Sequence, residues 1–454
     1  MTALRNSLYR NLENNKMKSR LKLTFCLPLA VATPLLLPQL SQAANLSEIY
    51  QLAASKDSVI QASRAQYQAA LEALPLARSA LLPQVAIAAD VAENESNNDL
   101  GGSFDSDTIG ASVTQPLFNL TASRSYKRAK ATVAQAEASL EDAEQTLLFR
   151  TSQAYFNVLT AREAYVAAKS SREATASQTE QAERRFDVGL SAITDVKEAQ
   201  AQLDLAIARE VVAENQLALA REAMRVIINQ EVPTLDGLKD NADLTAPAPA
   251  SVDEWIAVAT ENNPRLEVAR RDLDLARTDI DIERAGRYPT VALTGGYQDL
   301  NTDSNLQTNN ESGQVSLQLE YAIFTGGRTS ALIRQAKSQS EQAAFNLETV
   351  RRAVVQETRD AYLTVLADIS QSNALQKALS STEVAKDATQ AGFDAGTRTA
   401  VEVLVSLQDT FNAYADYAAA RHQYVISSLE LRLAAGILDE KHIDSISSSL
   451  STGN

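Results

Sequence analysis

Four long stretches of this sequence lack both glycine and proline, the residues that most often end a helix. They cover residues 121–188, 190–232, 328–391 and 397–435. A helix through the first stretch is roughly 100 Å long at about 1.5 Å per residue, which is far longer than a helix of a globular domain. Leu148, Tyr155, Leu159 and Val166 follow a heptad spacing, which is typical of a coiled-coil seam. The chain is therefore expected to fold mainly into long, laterally packed helices.

The sequence contains the same structural unit twice. Residues 83–87, 154–159 and 186–189 recur as 289–293, 361–366 and 393–396, at an offset of roughly 206 to 207 residues. The proline-containing segment 245–249 separates the two copies. We therefore predict a first structural repeat over residues 44–245, a second over residues 246–438, and a C-terminal tail over residues 439–454.

Each repeat is predicted to contain two strands followed by two long helices. In the first repeat the strands cover about residues 83–93 and 106–118, and the long helices cover about 121–188 and 191–230. In the second repeat the strands cover about residues 289–299 and 313–324, and the long helices cover about 328–395 and 399–436.

The N-terminal 43 residues have the pattern of a secretory signal peptide. An apolar run over residues 23–37 follows Lys18, Arg20 and Lys22, and residues 41–43 provide a small-residue cleavage site. A membrane anchor is the alternative, but three prolines interrupt the apolar run and favour the signal peptide. Residues 1–43 are therefore predicted to be removed on export.

Composition excludes several classes of function. Residues 1–43 hold six basic residues and one acidic residue, so their removal takes the formal charge from −15 to about −20. Such an acidic chain repels nucleic acid. The only cysteine, Cys26, lies in the signal peptide, and the only histidines are His422 and His442. Without a thiolate, a histidine cluster or a nucleophile–base pair, we expect no enzyme activity, no metal and no cofactor.

Four segments between the helices alternate apolar and polar residues, as strands with two different faces do. The fourth is the clearest, with Val315, Leu317 and Leu319 on the apolar face. A soluble sheet on a core and a barrel wall between lipid and water both produce this alternation. Export and the polar strand-joining loops, residues 94–106 and 301–312, favour the barrel. Four strands cannot close a barrel, since about eight are needed, so either a dimer or a trimer is required.

The two glycine turns carry a resemblance to a known family. Residues 185–196 and 395–404 resemble the helix-turn-helix tips of TolC-family outer-membrane factors, and residues 154–159 resemble another segment of that family. The resemblance extends from about residue 45 to residue 438, and the order and duplication of the segments agree with it.

The resemblance implies a mainly α fold with a β-barrel part. It implies a homotrimer whose twelve strands form one barrel in outer-membrane lipid and whose coiled-coil helices form a periplasmic α-barrel. This channel-tunnel is expected to be a passive exit duct of a tripartite efflux pump, a type I secretion system or both. The expected partners are a periplasmic adaptor and an inner-membrane transporter of the RND, ABC or MFS type.

The resemblance also assigns roles to residues near the two turns. The adaptor-docking tips are expected to be Val188, Gly189, Leu190, Ala395, Gly396 and Thr397. The periplasmic gate and constriction are expected to comprise Thr194, Asp195, Phe393, Arg398, Glu402 and Val405. Glu402 lies where the family has an acidic ring that selects cations.

Local sequence signals give the same residues structural roles. Gly189 and Gly396 are predicted left-handed helix caps, Ser191 a helix N-cap, and Thr399 with Glu402 a capping box. Phe393 departs from the family, because a tyrosine there would donate a hydrogen bond to Asp195. Val405 departs too, since an acidic residue is expected at its position. We therefore expect that polar links hold the closed entrance less firmly, and that Arg398 contributes more to holding it closed.

A trimeric structural stalk or adhesin is the alternative to a channel. It would share the signal peptide and the coiled coil, but it would not need two amphipathic strands inserted in each of two tandem copies. Ion conduction distinguishes the two, because a stalk has no pore.

Overall fold

A computed structural model of the protein describes residues 44–95, 103–239, 244–303 and 308–451. The predicted signal peptide, residues 1–43, and parts of the two predicted strand-joining loops lie outside these ranges. Among the described helices, none combines the length and the apolar character needed to cross a lipid bilayer.

The first half of the described chain holds three short helices, two strands and two long helices. In order these are α1 (Leu46–Lys56), α2 (Ser58–Leu71), α3 (Ala73–Ser79), β1 (Gln84–Glu95), β2 (Ser103–Phe118), α4 (Leu120–Asp187) and α5 (Ile193–Ile228). A two-residue strand, β3 (Gly237–Leu238), follows them.

The second half has a similar order of elements. These are α6 (Val252–Asn262), α7 (Pro264–Ala285), β4 (Thr290–Thr302), β5 (Asn310–Glu320), α8 (Arg328–Asp394) and α9 (Ala400–Ala434). The predicted C-terminal tail contains α10 (Glu440–Ser448) and β6 (Leu450–Ser451), and β6 pairs with β3.

The four long strands form one antiparallel sheet in the order β1-β2-β4-β5. The central β2–β4 pair joins the two halves of the chain. The strands β1 and β5 are the sheet edges, and no other described strand pairs with their outer sides. On both edge strands the large apolar side chains are exposed, so no described helix covers them: Val85, Ile87, Val91, Val315, Leu317 and Leu319.

The strand β5 lies N-terminal to its predicted position, because it begins at Asn310 and not at about residue 313. It ends at Glu320, whereas alternation predicts a strand to about residue 324. Gly326 and Gly327 follow with φ angles of 61° and 83°, a left-handed backbone that no strand contains. The chain therefore leaves the strand before these glycines and turns into α8. In this connection the side chains of Ile323 and Phe324 are exposed.

The helix α4 changes its neighbours along its length. Near its N-terminus it packs against α7, where Arg128 pairs with Asp279 at 2.5 Å. Towards its C-terminus it packs against α5 and α9. There Arg172 Nε lies 2.8 Å from Glu210 Oε2, and the Ser171 hydroxyl donates to Gln408 at 3.1 Å. One helix thus connects the sheet to the far end of the molecule.

The main apolar core lies around the middle of α4 and includes side chains from α1, α5 and α9. Tyr155 and Phe156 are fully buried, and their rings meet edge to face with centroids 5.6 Å apart. The Tyr155 hydroxyl donates to the Asp236 carbonyl at 2.8 Å, so its one polar group is satisfied. A second, small cluster contains Ala182, Val196, Ala199 and Leu404 and lies near the ends of the helices.

Candidate functional site at the helix tips

The first tip, residues 185–196, is a tight left-handed turn between α4 and α5. Gly189 has a φ of 75°, which a residue with a Cβ rarely adopts. Its N–H donates to the Phe186 carbonyl, and the Leu190 N–H donates to the Arg185 carbonyl, both at 2.8 Å. These bonds satisfy carbonyls that the end of α4 leaves free. The predicted left-handed cap at Gly189 is confirmed.

The second tip, residues 392–405, uses the same backbone turn between α8 and α9. Gly396 has a φ of 77°, and its N–H donates to the Phe393 carbonyl at 2.9 Å. The Gly392 carbonyl accepts the Thr397 N–H at 2.8 Å and the Arg398 N–H at 3.2 Å. The predicted cap at Gly396 is therefore also confirmed.

The helix α9 begins with the predicted capping box. The Glu402 N–H donates to the Thr399 hydroxyl at 3.2 Å, and the Thr399 N–H donates to the Glu402 carboxylate at 2.7 Å. Arg398 adds an ion pair of 2.5 Å with the same carboxylate. The Thr399 backbone N–H, followed by the Arg398 guanidinium, lowers the pKa of Glu402 below its ordinary value. Glu402 is therefore ionised at neutral pH.

The prediction that Ser191 caps α5 is wrong. The N-cap is Ala192, one residue later, and it provides no side-chain hydrogen bond. The Ser191 hydroxyl instead donates to the Asp195 carboxylate at 2.9 Å, and the Ala192 N–H donates to it at 3.4 Å. Because α5 starts at Ile193, Ser191 lies too far upstream to reach the helix amides.

Within the described part of the chain, the six predicted gate residues do not form one connected cluster. Arg398 contacts Glu402, Asp195 contacts Ser191, and Phe393 packs beneath a guanidinium that the sequence analysis assigned no role. That guanidinium belongs to Arg185, whose Cζ lies 4.6 Å from the ring centroid. Thr194 and Val405 are exposed.

The role of Arg185 was missed because its partner is on a different helix in the other half of the chain. Its only sequence signal is a basic residue in the last turn of a long helix, which also suits the helix dipole. The equally placed Arg184 has the same signal and pairs with Glu180 on its own helix at 2.5 Å.

The apolar residues at the first tip are exposed. Val188 and Leu190 have exposed fractions of 70% and 71%, and Ile193 is exposed as well. The corresponding positions of the second tip, Ala395 and Thr397, are small or polar. The two turns thus have the same backbone conformation but expose different side chains.

Comparison with known proteins places this geometry in a family. The sequence profile of the outer membrane efflux protein family matches residues 49–230 and again residues 255–437. The outer membrane protein TolC of Vibrio cholerae serotype O1 is 35% identical over 416 residues, which cover 90% of this chain and 94% of TolC. The chain therefore belongs to the outer membrane efflux protein family.

Two further relatives extend the comparison. The alkaline protease secretion protein AprF of Pseudomonas aeruginosa is 27% identical, with 92% of this chain and 90% of AprF covered. The crystal structure of the Campylobacter jejuni CmeC outer membrane channel matches with a TM-score of 0.77 at 18% identity, covering 90% of each chain. The predicted fold class is thus confirmed, because the structure shares the fold of outer-membrane channels.

The family assignment distinguishes the two interpretations of the sequence, a channel and a structural stalk or adhesin. The protein is an outer-membrane efflux protein, with a large helical part that belongs to the periplasm. The comparisons favour the channel over the stalk or adhesin. The family is one of efflux proteins and not of enzymes.

Proposed function

We propose that three copies of this chain form a passive exit duct from the periplasm to the exterior. The observation that carries this proposal is the four-stranded sheet with exposed apolar side chains and two unpaired edges. In lipid an open edge is not tolerated, because its N–H and C=O groups have no partner. Pairing β5 of one copy with β1 of the next removes all edges, and three copies satisfy the roughly eight-strand minimum of a barrel.

The helices support the same assembly. Four exposed residues on α5 repeat at heptad spacing: Leu205, Val212, Leu219 and Val226. Such a stripe is the contact face of a coiled coil, and within this chain it lies open. On α8, Phe345 and Val384 are also exposed. We propose that neighbouring copies cover these faces and so close the helices into a tube.

We propose that the two tips form the periplasmic entrance and dock the partners. Val188, Leu190 and Ile193 offer an exposed apolar surface for a periplasmic adaptor. Glu402 is exposed and ionised, and a ring of three such carboxylates would attract cations. The inner-membrane transporter, of the RND, ABC or MFS type, supplies the energy and selects the cargo. AprF, a protease secretion protein, supports a secretion task beside the efflux task in the family's name.

Single-channel conductance tests this proposal. The mature trimer, purified in detergent and placed in a planar bilayer, should give a small, cation-selective conductance. Glu402→Gln should lower the preference for cations. Glu348→Gln is the matched control, since Glu348 also pairs with arginines on its own helix but lies far along α8 from the tip.

The same measurement tests Arg398. Arg398→Ser removes the ion pair with Glu402 and should raise the conductance, whereas Arg352→Ser, which removes an i,i+4 pair with Glu348, should not. If the folded wild-type trimer and the Arg398→Ser trimer both fail to conduct, the protein is a stalk and not a duct.

A further inference from the structure

One side-chain contact between the two tips of a chain joins Arg185 at the end of α4 to Phe393 at the end of α8. The Arg185 guanidinium lies over the Phe393 ring at 4.6 Å from its centroid, within the range of a cation–π interaction. Phe393 is 8% exposed, so the contact is shielded from water on the ring side. Burial of this kind raises the strength of a cation–π contact.

Both residues of this pair also belong to the turns that they connect. The Arg185 carbonyl accepts the Leu190 N–H, and the Phe393 carbonyl accepts the Gly396 N–H. The side-chain contact therefore joins two residues whose backbone carbonyls each accept a hydrogen bond from a left-handed turn. The contact connects the first tip to the second without an intervening residue.

Arg185 differs from the other arginines near the tips in its partners. Arg184 pairs with Glu180 on its own helix, and Arg398, in the turn before α9, pairs with Glu402 four residues later. Within the described part of the chain, Arg185 has no carboxylate within ion-pair distance, and the ring is its partner. The guanidinium thus faces the other half of the chain and not its own helix.

We infer that Arg185 is a positioning residue of the entrance, which holds the two tips of each copy together by stacking on Phe393. This inference rests on the proposed function, because it takes the tips to be the entrance. Phe393 has no hydroxyl group and cannot donate a hydrogen bond to a carboxylate, so it contacts the first tip through its ring. The strength of this contact depends on the planar guanidinium, which a lysine does not have.

Hydrogen–deuterium exchange of the detergent-solubilised trimer tests this inference without requiring conduction. Arg185→Gln should raise amide exchange on the order of threefold to tenfold in peptides of both tips, the loss expected for about 1 kcal/mol of cation–π interaction. Arg185→Lys should raise it less. Arg184→Gln is the matched control, because it removes a neighbouring arginine that pairs only with its own helix, and it should leave the second tip unchanged.

A double variant separates this contact from a general loosening. Phe393→Leu removes the ring but keeps an apolar side chain, and it should raise exchange at both tips. Adding Arg185→Gln to Phe393→Leu should then produce no further increase, since the partner has already been lost. In bilayers, Arg185→Gln should raise conductance, whereas Arg184→Gln should not.

Three outcomes would overturn the inference. These are equal exchange for Arg185→Gln and Arg184→Gln, an Arg185→Gln effect confined to the first tip, and additive effects in the double variant. Failure of the proposed function looks different. Wild-type and Arg398→Ser trimers that both fail to conduct, with exchange still coupled between the tips, would refute the duct and leave the contact established.

Discussion

The two halves of this chain end their long helices on the same backbone turn and surround it with different side chains. Gly189 and Gly396 have φ angles of 75° and 77°. The first tip is apolar, and its helix α5 starts without a side-chain cap. The second tip is polar, with a complete capping box. The two halves thus share the backbone geometry of the turn, while the side chains around it differ.

The C-terminal ends of α5 and α9 also differ between the two halves. Asn229 follows α5 with a φ of 49°, and Gly436 follows α9 with a φ of 71°. Both positions are left-handed, but only the second is crowded, because a Cβ on Gly436 would lie 2.5 Å from the Asn263 Cα. The second half therefore packs its helix end directly against another backbone.

The largest expected difference between the halves lies in the central core. Phe156 and Leu363 occupy matching positions of the repeat, but Phe156 is fully buried and Leu363 is 56% exposed. In the unassembled chain, Phe156→Ala should lower the free energy of unfolding by about 3–5 kcal/mol, whereas Leu363→Ala should cost under about 1 kcal/mol. Denaturant unfolding of the two variants measures this. A large cost at Leu363 would break the comparison and show that another copy covers that face.

The helix ends provide the next test. Gly436→Ala should destabilise the protein by about 2–5 kcal/mol, because it adds left-handed strain to a clash with fixed backbone. Asn229→Ala should cost about 1–2 kcal/mol, since it adds strain alone. Both values come from the same unfolding assay. Equal costs would mean that the close approach at Gly436 relaxes.

The histidine in the second half should make stability depend on pH. Burial, helped by Arg421 and Arg162, lowers the pKa of His422 to about 4. Below about pH 6.5 the unfolded chain binds a proton that the folded chain does not, so stability falls as the pH drops from about 6.5 towards 4, by at most about 3 kcal/mol. Unfolding of wild type and His422→Gln at pH 7.5 and pH 5 should show a smaller loss in the variant. Identical losses would place the pH dependence elsewhere.

The smallest expected difference concerns the starts of the two helices at the tips. Thr399→Ala removes the side-chain half of a capping box and should cost about 1 kcal/mol. Ser191→Ala removes a hydroxyl that caps no helix amide and should cost under about 0.5 kcal/mol. Thermal unfolding of both variants compares them. A larger effect at Ser191 would show that its bond to Asp195 matters more than the cap.

These contrasts also explain what the sequence predicted. The long helices follow from the absence of glycine and proline, and strand β5 follows from period-two alternation, because both are local patterns. The caps at Gly189, Gly396 and Thr399 were predictable for the same reason. The start of α5 was not, since a serine two residues before a helix resembles a serine at its N-cap.

Features that depend on distant residues were beyond sequence reasoning. The stacking of Arg185 on Phe393 requires two helices from different halves to end side by side, and neither residue has a pattern that indicates it. The pairing of β3 with β6 is similar, because two-residue strands are too short to show any alternation. In both cases tertiary packing determines the contact.

The strand order β1-β2-β4-β5 has a consequence for assembly. Inside one chain, the second strand of the first half pairs with the first strand of the second half. In the proposed trimer, β5 of one copy pairs with β1 of the next in the same way. Each unassembled copy therefore has two edges that are complementary to each other. Such a subunit can add to itself end to end until the ring closes, and only closure stops its growth. The curvature of the barrel wall then determines the number of copies in the ring, because every contact between copies is the same.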